Sequence, residues 1–522
     1  MNSTALDDNG PWWRLLSRYQ WYVFALAAMG WLFDTMDGQI FIASRSITMK
    51  ELLPNVSQEV QTNYGGYVTA TFMLGWASGG LVFGIVGDKW GRAKTMALTI
   101  LIYAIFTGAS GLAANWWQFG LCRFLTGVGV GGEFAAGAAL VAEVMPEKAR
   151  AKALGMLQAL SAVGNLLGVF LFRYIEPMAN WGWRGLYFVG AFPALLAVVV
   201  RMGLKEPDKW VAAKAAAARA TEAGQKVGFG RLSELFTIPQ WRRNTIVGLC
   251  LAIAGIVGVW GVGFWSPELI DSTYLTVSEE GALKVKAIVA EANPEKQLTL
   301  IQGLGGVQKE YLALYQRTLP LGTVVSDTVA LGRPLETAQK EKIDELLERT
   351  LPKKEKTELK SMALILQQIG AFFGMYFFSV MAAKWGRRLT FFIAFVLGWG
   401  SVAITFLLFH EKSQIYYLWP LLGFGTLAPF GGYALYFPEL YPTRLRTTGT
   451  GFCYNVGRYV AMLGPITLGQ LSVALKGNFG NNSFRWAAVI VASSYFIGIV
   501  ALLWAPETVN QPLPDDERVV VH

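Results

Sequence analysis

The chain has 522 residues, 53% of them hydrophobic and only 16% charged, against roughly 25% charged in soluble domains. That balance excludes a disordered chain, a disulfide scaffold and a nucleic-acid binder, and it describes a chain solvated mainly by lipid. The net charge of +9, from 45 basic and 36 acidic residues, belongs in loops on one side of a membrane.

A window of about 19 residues predicts an all-α, polytopic protein with twelve transmembrane spans: 21–45, 64–87, 94–115, 116–142, 152–175, 185–203, 244–267, 361–383, 389–410, 414–437, 449–475 and 484–505. They are called spans 1 to 12 below. Asp7 and Asp8 precede the first, and no A-x-A site follows it, so it reads as a retained span rather than a cleaved signal. Basic residues follow the even-numbered spans: Lys89, Arg92 and Lys94; Lys148, Arg150 and Lys152; the stretch from Arg201 to Arg243; Lys384, Arg387 and Arg388; Arg444 and Arg446. The positive-inside rule then places these loops and both termini in the cytoplasm.

The two halves repeat. Lys89-Trp90-Gly91-Arg92 recurs as Lys384-Trp385-Gly386-Arg387, and Glu143-x-x-Pro146-x-x-x-Arg150 recurs as Glu439-x-x-Pro442-x-x-x-Arg446. The first pair follows spans 2 and 8, the second spans 4 and 10, so two pseudo-symmetric six-helix bundles are expected. The division is 1–203 for the N-terminal bundle, 204–243 for a cytoplasmic interbundle loop, 244–267 for span 7, 268–360 for an extracytoplasmic insert, and 361–522 for the rest of the C-terminal bundle and a cytoplasmic tail. Within the insert, Glu279–Ala292, Val307–Arg317 and Leu335–Leu351 read as amphipathic helices. It is either a cap or a subdomain that captures a substrate or partner.

Ionised residues inside a span cost roughly 2.5–3.5 kcal/mol even on the mildest scale, so each must be paired or working. Asp34 and Asp37 sit three apart on one face of span 1. Two carboxylates this close do not both ionise cheaply in a low dielectric, which suits proton coupling. The alternative is that one caps a helix break or pairs with an arginine. Glu133 in span 4 is a second proton carrier or a structural partner. Arg123, about 15 Å away along that helix, fits a pair with a span 1 carboxylate ahead of a substrate contact. Arg458 lies near mid-membrane in span 11 and offers a bidentate fork to an anionic substrate, or a fixed salt bridge. Tyr454 and Asn455 are within a turn of it. Gln158, Gln367 and Gln368 are further polar groups for a cavity.

Gly84-Ile85-Val86-Gly87-Asp88-Lys89-Trp90-Gly91-Arg92-Ala93-Lys94 has the form G-x-x-x-D-[RK]-x-G-R-x-[RK], which resembles the loop signature of the major facilitator superfamily. Arg123 to Glu133 resembles the span 4 motif of sugar and organic-acid porters. Pro11-Trp12-Trp13-Arg14, Phe33-Asp34-x-x-Asp37, Trp181 to Phe188 and Gly451 to Gly457 resemble the sialate and monocarboxylate proton symporter branch, with the aromatic-acid branch next. Two departures stand out: Asp34-Thr35-Met36-Asp37 replaces that branch's D-G-F-D, and a polar insert replaces its extra spans. The resemblance implies a monomeric carrier of the bacterial inner membrane that moves a small organic anion, a sugar acid or monocarboxylate, with protons by alternating access. Gly87, Asp88, Gly91, Arg92, Glu143 and Arg150, with Lys384, Gly386, Arg387, Glu439 and Arg446, are then the latch between its states. The alternatives are a neutral-sugar porter and a non-transporting sensor that uses the insert. No nucleophile–base pair, metal cluster or cofactor motif is visible, so neither an enzyme nor a cofactor is expected. With only His410 and His522 available, and Cys122, Cys250 and Cys453 in apolar runs, proton chemistry falls on carboxylates.

Overall fold

The computed structural model describes residues 11–514 except 57, 179–181, 193–202, 223–227, 278, 321–322, 324, 327–329, 349 and 462–463. The described chain is almost wholly helical, and eight of its helices are long and apolar enough to cross a membrane. Spans 1 to 5 are the helices Arg18–Leu52, Gln58–Trp90, Arg92–Ser110, Trp116–Val144 and Glu147–Met178. Span 6 is described over Trp183–Gly190, and its expected second half falls at 193–202, outside the described residues. The end of the tail, 515–522, also lies outside them. Spans 8, 9 and 10 are Lys353–Trp385, Arg387–Leu408 and Ile415–Glu439.

Two spans are interrupted within the described residues. Span 7 runs as Pro239–Gly261, a 3-10 turn Gly263–Trp265 and a short helix Ser266–Thr273. Span 12 runs as Ser483–Ala492 and Tyr495–Ala501, and span 11 is described over Arg446–Ala461 and Gly464–Ala474. Backbone groups freed at such breaks are tolerated at membrane depth only against protein or a cavity. At the span 7 break the buried Gln367 amide donates to the Gly263 carbonyl at 3.2 Å and accepts from Ser266 Oγ at 2.9 Å.

Glycines set how closely the helices approach. A Cβ at Gly75 or Gly79 of span 2 would overlap the carbonyl oxygens of Phe124 and Val128 in span 4, and one at Gly127 or Gly131 would overlap those of Phe72 and Trp76 in return. The C-terminal half repeats this: Gly370 and Gly374 of span 8 meet the Pro420 and Phe424 carbonyls of span 10, and Gly423 and Gly431 meet those of Gln367 and Met375. Backbones in contact through glycine are the usual means of holding helices together in lipid, where no hydrophobic force drives them. Spans 2 and 4 and spans 8 and 10 are thus the rigid pair of each half.

The segment between spans 7 and 8 folds on its own core. Helices Glu279–Ala290, Pro294–Gln302, Gln308–Gln316 and Thr337–Glu348 enclose Val285, Ile288, Ile301, Tyr311, Leu314 and Ile343. The second of these helices was not expected from the sequence. The segment leaves and rejoins the bundle through two parallel strands, Leu275–Val277 and Thr350–Pro352, with Leu275 opposite Thr350. Buried Gln297 ties its helices together, donating to the Ile288 carbonyl at 2.8 Å and accepting from Leu335 N at 3.2 Å. At its base Lys356 pairs with Asp271 at 2.9 Å and donates to the Tyr274 carbonyl at 2.7 Å.

Candidate functional site

A cavity of about 90 Å³ lies between the two halves. Its walls come from spans 1, 2 and 5 on one side and spans 7, 10 and 11 on the other. Seven of its twenty described lining residues are aromatic: Trp31, Phe41, Phe72, Trp76, Trp260, Phe430 and Tyr454. Hydrogen-bonding capacity is confined to a few groups, among them Asp34, Gln39, Gln158, Ser161, Asn165 and Arg458.

Arg458 is 2% exposed. Its guanidinium is sandwiched between the Trp76 and Tyr454 rings, 4.3 Å from each centroid. It donates to the Tyr454 carbonyl at 2.7 Å and to Asn455 Oδ1 at 2.9 Å, while Nε is buried without an acceptor. No carboxylate pairs with it among the described residues. Buried Arg92, Arg123, Arg387 and Arg446 are each paired with one. Tyr454 is held by Phe134, stacked at 4.0 Å. The Gln158 carbonyl oxygen is also buried and unpartnered at the cavity wall.

The two aspartates of span 1 have different partners. Asp37 forms a salt bridge with Arg123 at 3.1 Å and accepts from Thr107 Oγ1 at 2.9 Å. Arg123 also donates to Ser110 at 2.8 Å and Thr126 at 3.0 Å, under the Tyr187 ring at 4.8 Å. Arg123 is therefore committed within its own bundle and does not line the cavity. Asp34 lines the cavity and interacts with Glu133 of span 4 and Tyr103 of span 3. Both oxygens of Asp34 and both of Glu133 are buried and accept no hydrogen bond among the described residues. Glu133 also abuts Gly30, where a Cβ would overlap its Oε1.

Gln368 accepts from Asn165 Nδ2 across the two halves at 3.1 Å, whereas Gln367 serves the span 7 break. Neither lines the cavity, although Asn165 does. Sequence reasoning did not single out Trp31, Trp76, Phe134, Ser161 or Asn165. Aromatic and small residues in an apolar span carry no local mark that separates a cavity wall from packing.

The loop motifs meet at the end of the bundle that carries the basic loops. Asp88 accepts from the Thr447 and Thr448 backbone N–H groups at 3.1 and 2.8 Å and from Thr448 Oγ1 at 2.6 Å, capping span 11 of the other half. It also pairs with Arg92 at 3.0 Å. Arg92 donates to the Thr443 carbonyl and pairs with Glu143 at 3.2 Å, and Glu143 reaches Arg446 at 2.7 Å. Arg150 lies within electrostatic reach of Glu439, Arg446 and Arg387. In the C-terminal half Arg387 forks onto Glu439 at 2.8 and 3.1 Å. Gly91 (φ 122°) and Gly386 (φ 89°) turn the chain into spans 3 and 9, a conformation that favours glycine. Each helix start is capped by a distant carboxylate, Glu206 on Arg92 N at 2.7 Å and Glu507 on Arg387 N at 2.9 Å. Gly87 lets span 2 approach the Thr447 methyl, and Lys384 precedes the second glycine turn.

Comparison with known proteins gives one family. The model described as Major Facilitator Superfamily matches residues 13–289 and 356–520. The chain is 27% identical over 502 residues to the cis,cis-muconate transport protein of Acinetobacter baylyi (strain ATCC 33305 / BD413 / ADP1), covering 95% of this chain and 97% of that one. It is 29% identical over 200 residues to the sialic acid transporter NanX of Escherichia coli (strain K12), covering 38% of this chain and 47% of the other. Among solved structures, the proton:xylose symporter XylE bound to 6-bromo-6-deoxy-D-glucose superposes with a TM-score of 0.61 at 15% identity, covering 95% of this chain and 98% of that one. The last likeness concerns fold alone. The chain belongs to the major facilitator superfamily and is a multi-pass membrane transporter.

Proposed function

We propose that this transporter moves a small, planar carboxylate, unsaturated or aromatic, together with protons. The observation that carries the reading is Arg458, a buried guanidinium on the cavity wall with no carboxylate partner among the described residues. An ion of that kind is tolerated at membrane depth when it serves a pathway, and its fork matches a carboxylate. The aromatic walls around it favour a flat apolar body over a hydroxyl-rich sugar, which would leave its hydroxyls unpaired. The muconate transport relative, aligned over nearly the whole chain, supports an unsaturated acid. The sialic acid relative aligns over less than half of the chain.

In this reading Asp34 and Glu133 hold the coupled proton. They face one another with no cation between them among the described residues, so one proton shared by the pair lowers the cost of burying both. Asp34 opens on the cavity, where a proton exchanges with the substrate side. The basic loops and both termini face the cytoplasm of the bacterial inner membrane, and a monomer suffices. The joined latch of Asp88, Arg92, Glu143 and Arg446 then corresponds to a state closed toward the cytoplasm, and alternating access requires those contacts to part.

The test is uptake into proteoliposomes under an inward proton gradient, with cis,cis-muconate, benzoate, sialate and a neutral hexose as solutes. The expected result is acid-driven accumulation of a planar acid, reduced about thirtyfold or more by Arg458→Gln, as befits loss of a buried charge partner. Hexose uptake that ignores Arg458→Gln would overturn the anion reading. Ligand binding without flux of any solute would point instead to a sensor.

A further inference from the structure

A second groove lies on the outer face of the C-terminal bundle, between spans 7 and 12, at the end that carries the basic loops. It holds about 740 Å³. Its floor and sides are apolar, with Ile246, Phe496, Ile497 and Val500 each about half exposed, between 45% and 54%. Its mouth is not. Arg242 and Arg243, both exposed, stand at the first turns of span 7, and Trp504, 56% exposed, closes the other edge. Arg243 Nε donates to the Trp504 carbonyl at 2.8 Å, which fixes that guanidinium over the groove. Neither arginine is paired with a carboxylate among the described residues. Glu507, just beyond Trp504 in the chain, is committed to the backbone N–H groups of Arg387 and Arg388.

We propose that this groove is a binding site for an anionic phospholipid, with the phosphodiester held by Arg242 and Arg243 and an acyl chain along Ile246, Phe496, Ile497 and Val500. Any lipid fills an apolar groove in a bilayer, so the acyl track alone selects nothing. The arginine pair selects, because guanidinium binds phosphate through paired charge-assisted hydrogen bonds. A zwitterionic headgroup brings its own cation to the same place and gains less. Trp504 sits where an indole is usually found, at headgroup depth, which sets the two arginines level with the phosphates.

The experiment is native mass spectrometry of the purified full chain, released from detergent containing equal amounts of phosphatidylglycerol and phosphatidylcholine with identical acyl chains. Two arginines near an anionic lipid are worth about thirtyfold in preference. Wild type is expected to retain phosphatidylglycerol over phosphatidylcholine by about that factor. Arg242→Gln/Arg243→Gln is expected to reduce the preference to near unity. Arg242→Gln alone, which keeps the Arg243–Trp504 contact, is expected to leave about fivefold. Arg219→Gln, on the exposed helix Asp208–Glu222, is expected to change nothing. Equal retention of the two lipids by wild type, or a preference untouched by the double substitution, overturns the site. A preference that emerges only after deletion of residues 515–522, whose sequence includes Asp515, Asp516 and Glu517, assigns the groove to the chain's own tail instead.

Discussion

Replacing Arg123 by Gln should destabilise the N-terminal bundle more than replacing Asp37 by Asn, and the double substitution should cost less than Arg123→Gln alone. Both side chains are fully buried. Arg123→Gln leaves the Asp37 carboxylate with the Thr107 hydroxyl as its remaining donor among the described residues. Stranding one member of a buried pair costs about 3–5 kcal/mol, and a single hydroxyl does little to offset a full charge, so about 4 kcal/mol is expected. Asp37→Asn is milder. Arg123 keeps Ser110, Thr126 and the face of Tyr187, and an amide oxygen still accepts from Thr107. About 2 kcal/mol is expected there. Independent sites would then sum to about 6 kcal/mol, whereas two neutral amides hydrogen-bonded to each other should cost about 2 kcal/mol. If the six N-terminal spans melt as one unit of roughly 200 residues, Arg123→Gln lowers Tm by about 10 °C and the double variant recovers at least half of that. The assay is thermal unfolding of the purified protein in detergent, with uptake measured in parallel. Additive losses would refute the pairing argument. An unchanged Tm with a tenfold higher KM in Arg123→Gln would move Arg123 to the substrate.

Three further outcomes follow from the same geometry. Asp34→Asn should abolish gradient-driven accumulation while leaving substrate exchange across the membrane intact; accumulation that survives would remove Asp34 from proton coupling. Asp88→Asn removes charge-assisted caps from span 11 worth about 2 kcal/mol in total, and so should shift the balance toward separated bundle ends at the basic loops by about thirtyfold. Spin labels at Lys94→Cys and Arg388→Cys in a cysteine-free background would read it as a longer distance, and an unmoved distance would mean the contact does not govern closure. Gly79→Ala should sharply reduce folded yield, since its Cβ overlaps the Val128 carbonyl, while Gly66→Ala, with nothing within 4 Å, should not; equal yields would mean that spans 2 and 4 are not held by backbone contact.

The parts legible in the sequence are those whose meaning is local. A charge in a long apolar run is visible without a partner, which is why Asp34, Glu133 and Arg458 stand out. The loop motifs are equally plain, because a glycine turn followed by a helix start recurs in both halves. A pair between Arg123 and a span 1 carboxylate was legible too; what was not is which carboxylate takes which partner. Asp34 and Asp37 share a helical face, yet span 4 meets that face at two heights, with Glu133 beside Asp34 and Arg123 beside Asp37. Gln367 and Gln368 are adjacent but about 100° apart around the helix, so one closes the span 7 break and the other reaches across to Asn165. The glycine-mediated pairing of span 2 with span 4 was also hidden. Gly75, Gly79, Gly127 and Gly131 acquire their role only once the two helices are side by side.

The internal repeat is imperfect at the place where it matters most for the proposed cycle. Aligning Lys89-Trp90-Gly91-Arg92 with Lys384-Trp385-Gly386-Arg387 sets Asp88 opposite Ala383. The C-terminal loop keeps the glycine turn, the arginine and the distant capping carboxylate, but it has no side chain with which to cap a helix of the other half. The glutamates differ in the same sense. Glu143 is bonded to Arg446 across the halves, whereas its counterpart Glu439 is bonded to Arg387 within its own. Among the described residues the hydrogen bonds that close this end are therefore one-sided, with Arg150 only within electrostatic reach of Glu439: Asp88, Arg92 and Glu143 all reach from the N-terminal bundle onto Thr443, Arg446, Thr447 and Thr448 at the start of span 11. Span 11 also carries Arg458, twelve residues further along. In the proposed cycle, a substrate carboxylate that pulls on Arg458 would act on the same helix whose first turn the latch holds. Binding energy at the cavity can in this way reach the latch through a single rigid element, without requiring the two bundles to deform.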